Sequence, residues 1–382
     1  MSEHRSERRK PKPATSWWHK VPFRCEAAWL NVLLLAVPVA IALHFSGDSP
    51  FLTFLFAALA IVPLAGILGD STEALSEYAG PTIGGILNAT MGNATELIIG
   101  FFALRAGHIE VVKASLAGSI IGNLLLVLGL AIIAGGWNRE RQTFSRVAAG
   151  ANTTMLFLAV AALVLPAVFD LSVYGNLQHQ GTRIEQLSLW TSGVLIVIYG
   201  VSFIFVLKTH KRLFTPENAD EKGEPAMSKK RALASMAVAT VLIAWLSEML
   251  VGEIDAVTRT LGWTELFVGV IVVAIVGNAA EHSTAVLMAR RDKMDLAFTI
   301  AVGSSTQIAL FVAPVLVFVS LAMGRPMTLV FNAFEIVAVA LSVLVVEIIS
   351  SDGETNWFEG AQLLALYLML AVAFYFVPAP GQ

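Results

Sequence analysis

Eleven apolar stretches, each near the ~20 residues a helix needs to cross a hydrocarbon core, recur along this chain of 382 residues. They fall at about 27–46, 51–69, 82–104, 111–135, 144–169, 189–207, 233–254, 264–289, 296–323, 328–350 and 357–377. A series this regular predicts an all-α polytopic membrane protein, because helices satisfy their own backbone hydrogen bonds where lipid supplies no partner. Charged residues are only 14% of the chain, against about 25% in soluble domains. Lys and Arg are scattered, with no aromatic-interleaved basic face, so nucleic acid is not an expected partner; the lipid bilayer is. The single cysteine, Cys25, excludes an internal disulfide and a cysteine metal cluster.

The basic stretch before the first apolar run, with Trp17, Trp18 and Lys20 at its edge, reads as a tail and headgroup-level anchor of a retained helix, not as a cleaved signal. With that tail cytoplasmic, the connections holding Arg139, Arg141 and Arg146, the segment Lys208 to Arg231, and Arg290, Arg291 and Lys293 all fall on the inner side. Positive residues collect there in inner-membrane proteins. The expected organisation is a basic tail and first helix over 1–50, five helices over 51–207, a polar cytoplasmic linker over 208–232, and five helices over 233–382. A multi-pass protein of a prokaryotic inner membrane fits the compact chain and short tail. The linker carries Glu217, Asp220, Glu221 and Glu224, and both a solvated spacer and an ion-recruiting patch remain open for it.

Gly92-Asn93-Ala94-Thr95-Glu96 recurs as Gly277-Asn278-Ala279-Ala280-Glu281, an offset of 277 − 92 = 185. Gly118-Ser119 recurs as Gly303-Ser304 at the same offset, 303 − 118 = 185. An odd number of spans per copy makes the second copy thread the membrane in the opposite sense. Transporters built from such inverted repeats hold their substrate near the midplane, where the copies meet.

Glu96 and Glu281 fall near the middle of their spans, where an ionised carboxylate costs ~2.5 to 3.5 kcal/mol or more and marks function by default. Each needs a cation or a proton. Asn93 shares a helix face with Glu96, with Asn88 a turn earlier, and Asn278 stands likewise to Glu281. Gly92 and Gly277 allow close helix approach or local unwinding. Flanking spans add Ser115, Gly118, Ser119, Gly122 and Asn123, then Gly303, Ser304, Ser305, Thr306 and Gln307. Carboxylate, amide and hydroxyl oxygens suit a hard dication such as Ca²⁺, and no cofactor is required. One Ca²⁺ or up to two protons then satisfy the same pair of acids, which predicts antiport: Ca²⁺ as transported substrate, H⁺ as the counter-ion, and no enzymatic activity. His282, beside Glu281, is read either as a proton relay or as a donor to a neighbouring carbonyl. Glu73 and Glu248, with Asp70 nearby, are expected to end the first helix of each half, as entrance guards or as rim and capping residues. Glu335 and Glu347 carry a weaker signal.

The run Gly84 to Leu97, the repeat Gly277 to His282, the run Gly303 to Leu310, and Ser351-Asp352-Gly353 followed by Asn356-Trp357 together resemble the Ca²⁺/H⁺ exchanger (CAX) family, from about Phe51 to Phe376. The resemblance implies a Ca²⁺ site containing Glu96 and Glu281, helped by Asn93 and Asn278. The related Na⁺/Ca²⁺ exchangers usually carry a Ser-Ala-Pro-Glu core instead. Rival readings are a Na⁺/H⁺ or Na⁺-coupled Ca²⁺ exchanger, an antiporter for Mn²⁺ or Cd²⁺, and a cation channel, whose oligomeric filter loop is not visible here.

Overall fold

The computed structural model describes residues 28–175, 177, 181–209 and 227–378. The expectations placed on Trp17, Trp18 and Cys25, and on Glu217, Asp220, Glu221 and Glu224, lie outside the described residues. The chain is almost entirely helical. Among the described residues nine helices are long and apolar enough to cross a membrane, and the apolar helix Leu30–Ser46 is shorter.

In chain order, α1 occupies 28–46 and begins as a 3-10 turn, Ala28–Leu35; α2 is Pro50–Gly80. Ser49 caps α2 by accepting from the Leu52 N–H at 3.4 Å, and Pro50, which has no N–H to lose, occupies its first turn. Gly80 takes φ 81°, ψ 173°, a conformation reserved in practice for glycine, and there the chain folds sharply into α3, residues 81–91. Then come α4, Ala94–Ala106, and α5, Ile109–Gly136. The outer pair is α6, Arg146–Tyr174, and α7, Thr182–Ile204.

The later part of the chain holds α8, Lys229–Gly252, a short helix α9, Ile254–Leu261, and α10, Glu265–Arg290. It continues through α11, Met294–Ala322, α12, Ala333–Ser350, and α13, Trp357–Phe376. Asn332 and Glu335 form a capping box on α12, as Asn356 and Glu359 do on α13. Two short strands, β1 (Gln142–Thr143) and β2 (Glu354–Thr355), pair antiparallel and tie the connection after α5 to the one before α13.

Two expected spans change shape. The third, 82–104, is not one helix: it breaks at Gly92 and Asn93 into α3 and α4, because Asn93 takes φ −97°, ψ 16° and its backbone leaves the helix. The sixth begins at Thr182, not Leu189, since its first turn is polar and escapes a hydropathy window.

Burial separates an inner layer from an outer one. The apolar window of α5 is 83% buried, whereas those of α7 and α13 are 28% buried. Phe157 and Leu158 on α6, Trp190 and Val197 on α7, and Val337 and Leu344 on α12 face outward, where lipid is their natural medium. α5 packs against α10, and α2 against α8. Of the motif-bearing spans, α5 and α11 are well enclosed, 83% and 61% buried, and α10 less so, 44% buried.

Candidate functional site

The break between α3 and α4 places Glu96 in the first turn of a new helix. Its counterpart Glu281 lies inside α10, which runs unbroken past Gly277 and Asn278. Of the two readings left open for the glycine motifs, close approach or local unwinding, unwinding occurs at Gly92–Asn93 and not at Gly277. The two segments nevertheless meet reciprocally: a Cβ added to Gly277 would lie 3.4 Å from Glu96 Oε1, and one added to Gly92 would lie 3.9 Å from Glu281 Oε1. Each carboxylate rests over the other copy's glycine, and the two are near enough for their charges to interact.

Asparagines fix the frame around them. Asn278 Nδ2 donates to Ser119 Oγ on α5 at 2.8 Å, and Asn123 Nδ2 donates to Asn278 Oδ1 at 3.2 Å. Asn93 Nδ2 donates to Gln307 Oε1 on α11 at 2.5 Å and to the Ala89 carbonyl at 3.1 Å. Asn93, Asn278, Ser119, Asn123 and Ser304 are all buried, and Ser304 also bonds Glu281. Both copies therefore reach into the other: α3 to α11, and α10 to α5.

What the carboxylates lack is as informative. Glu96 Oε2 and Glu281 Oε2 are buried with no hydrogen-bond partner among the described residues, and His282 Nε2 is in the same state. Leaving such an acceptor unsatisfied costs about 1–3 kcal/mol, more when it is charged, and a bound cation or proton removes that cost. A cavity of ≈ 10 Å³ opens beside Glu96, lined also by Ser115, Ser119, Gly277 and apolar neighbours but not by Glu281; that is space for about one water-sized particle. The chemistry on offer is reversible capture of a small cation in a dry, oxygen-lined notch.

Not every expected residue joins this cluster. Ser305 and Thr306 turn their hydroxyls back to the Ala301 and Val302 carbonyls at 3.0 and 2.8 Å, the usual local bond of a helical hydroxyl. Asn88 is exposed. Glu73 is exposed within α2, seven residues before its Gly80 end, so it does not terminate that helix. Glu248 lies near the end of α8 and pairs with Arg105 at 3.3 Å across an exposed rim. Glu335 serves its own helix, accepting from the Asn332 N–H at 2.9 Å. Glu347 Oε2 is buried without a partner among the described residues, in α12.

Three features carried no signal in the residue pattern. π-helical turns occur at Gly122–Val127, Val268–Val273 and Ile308–Val312, in the three unbroken helices that surround the acids. A π turn adds a residue to the helical repeat and re-aims the side chains beyond it, which is why such turns gather at functional sites. Two of them start 308 − 122 = 186 residues apart, within one residue of the motif offset. Tyr199 of α7 is the second: its hydroxyl donates to the Ala89 carbonyl at 3.2 Å, and its ring stacks on Phe311 at 5.1 Å. That carbonyl belongs to the last turn before the break, so Tyr199 braces the segment holding Asn93. Tyr199→Phe should lower the thermal midpoint by the worth of one hydrogen bond, about 1 kcal/mol, and weaken Ca²⁺ binding more than it weakens folding. Equal binding in both proteins would reduce Tyr199 to packing. The third is the asymmetry between Gly118 and Gly303, glycines that the repeat made equivalent: an added Cβ at Gly118 would run into the Val270 backbone, whereas at Gly303 it has open space.

Comparison with known proteins agrees with this fold. A family model described as sodium/calcium exchanger protein matches residues 49–208 and 231–376. A Ca(2+)/H(+) antiporter of Aphanothece halophytica is 45% identical over 360 residues, covering 91% of this chain and 96% of that protein. The Ca(2+)/H(+) antiporter ChaA of Bacillus subtilis is 47% identical over 326 residues, covering 84% of this chain and 91% of its own length. The structure of native YfkE superposes with a TM-score of 0.79 at 41% identity, covering 91% of this chain and 100% of that one.

Proposed function

We propose, from the premise that this chain belongs to the sodium/calcium exchanger protein family, that Glu96 and Glu281 carry its transport by trading one Ca²⁺ for protons. The chain is an integral multi-pass membrane protein and a Ca²⁺/H⁺ antiporter, as the extended identity to antiporters of that activity requires. It is a transporter, not an enzyme.

One observation supports the site above the others: two buried carboxylates, one from each copy of the repeat, face each other with an oxygen apiece left unsatisfied. A dication bridging them neutralises both at once, and two protons do the same. Because the cation and the protons occupy the same oxygens, neither state binds the other ion, and this exclusion couples the two fluxes. Asn93 and Asn278 supply amide oxygens from the α3–α4 break and from α10, Ser119, Asn123 and Gln307 hold those amides, Ser304 bonds Glu281, and His282 stands beside Glu281 as the group through which a proton leaves or enters. Alternating access then exposes the pair to each side in turn. The orientation with the basic tail, Arg139, Arg141, Arg290 and Arg291 cytoplasmic, as inner-membrane charge bias favours, makes the protein an exporter of Ca²⁺ driven by inward proton movement.

The test is Ca²⁺-evoked pH change in proteoliposomes holding the purified protein. Two protons per Ca²⁺ make the exchange electroneutral, so clamping the membrane potential should leave the rate unchanged. A rate that follows the potential steeply would reject that stoichiometry, and dissipation of the Ca²⁺ gradient by Na⁺ in place of H⁺ would favour the Na⁺-coupled alternative.

A further inference from the structure

At one end of the bundle the turn between α4 and α5 carries His108, the residue just before α5. Its Nδ1 stands 3.0 Å from Glu265 Oε1, at the start of α10. Asp255 of α9 completes a group in which a ring nitrogen and one oxygen from each carboxylate all lie within 4.8 Å of one another. His108 comes from the first copy of the repeat and both acids come from the second.

The cations near this group are committed elsewhere. Lys113 pairs with Glu110 at 3.1 Å and Arg105 with Glu248 at 3.3 Å, while Arg259 Nε donates to the backbone carbonyl of Asp255, not to its carboxylate, at 3.0 Å. The transport glutamates are also remote. His108 is 108 − 96 = 12 residues beyond Glu96, a helical rise of about 18 Å, and Glu265 is 281 − 265 = 16 residues before Glu281, about 24 Å.

We propose that His108, Asp255 and Glu265 form a second cation site, for a borderline transition-metal dication of the Zn²⁺ type, which fastens the two copies of the repeat together at this end. An imidazole nitrogen with two carboxylate oxygens is a donor set that Zn²⁺ accepts in tetrahedral geometry with water in the fourth position. Ca²⁺ prefers six to eight oxygens and gains little from imidazole. A dication bound there crosslinks the α4–α5 turn to the α9–α10 turn, and alternating access requires the copies to move against each other. The site therefore acts as a brake on exchange, not as a station on the ion's route.

Zn²⁺ titration of the full-length protein tests this, with Glu96→Gln and Glu281→Gln present throughout so that the transport site contributes no heat. The parent in that background should bind one Zn²⁺, and both His108→Ala and Asp255→Asn should bind it at least fivefold more weakly. Asp255 is exposed, so its variant keeps the fold even if His108→Ala does not. Loss of all Zn²⁺ binding in the Glu96→Gln, Glu281→Gln parent would overturn the proposal, as would an affinity change under fivefold in Asp255→Asn.

Discussion

Replacing Glu96 or Glu281 by Gln should abolish Ca²⁺-driven proton movement in proteoliposomes while leaving the yield of folded protein intact. Gln preserves volume and one carbonyl oxygen but removes the charge that a bridging dication needs, along with the oxygen that takes a proton. Breaking a buried charge pair costs about 3–5 kcal/mol, and each 1.4 kcal/mol is tenfold, so the loss should be on the order of 100-fold or more for either variant. The unpaired Oε2 atoms make the folded state indifferent to the change, or slightly better off. Glu335→Gln is the informative control, because Glu335 is buried even more fully than Glu96 and Glu281 but caps α12 through the Asn332 N–H. It should lower stability by the worth of a cap, about 1 kcal/mol, and leave transport near normal. If Glu335→Gln silenced exchange as fully as Glu281→Gln, burial alone would explain both.

Gly118→Ala should be far more damaging than Gly303→Ala, although the two glycines are repeat partners. At Gly118 the new methyl would meet the backbone of Val270 on α10, which no rotamer change can move aside; at Gly303 it would meet nothing within 4 Å. Overpacking of this kind costs typically 1–3 kcal/mol, and here it separates α5 from α10, the pair that also carries the Ser119–Asn278 bond. The expected result is a thermal midpoint lower by roughly 1–4 °C for Gly118→Ala, with weaker Ca²⁺ binding, and no measurable shift for Gly303→Ala. Equal shifts in the two variants would contradict the asymmetric packing.

The sequence made the acids legible because lipid forbids idle charge: a carboxylate in the middle of an apolar span has few structural excuses, and its recurrence 185 residues later left one location for the site. Asn93, Asn278, Ser119 and Asn123 followed from helical spacing and Gln307 from the consecutive polar run of its span, and all five lie in the hydrogen-bonded frame. Spacing failed where the two copies differ. Identical Gly-Asn pairs break one helix and not the other although their side chains bond alike: Asn93 Nδ2 reaches the Ala89 carbonyl and Gln307, and Asn278 Nδ2 reaches the Ala274 carbonyl, also four residues back, and Ser119, so the residue pattern does not mark which helix breaks. Ser305 and Thr306 looked equivalent to Ser304 by composition, yet their hydroxyls serve their own helix. The π turns and Tyr199 depend on packing between distant helices, which a pattern of residue types does not encode. Glu73 was misplaced because helix ends were read from hydropathy, and α2 continues through polar residues to Gly80, whereas Glu248 does lie near the end of α8.

All of this rests on protons and Ca²⁺ competing for two side chains, and the most direct measurement is the number of protons released when Ca²⁺ binds the purified protein in weakly buffered solution. The account predicts close to two H⁺ per Ca²⁺ at a pH where the empty site is fully protonated, and none from the Glu96→Gln, Glu281→Gln double variant. Tight Ca²⁺ binding to the unaltered protein with no proton release at any pH would contradict it.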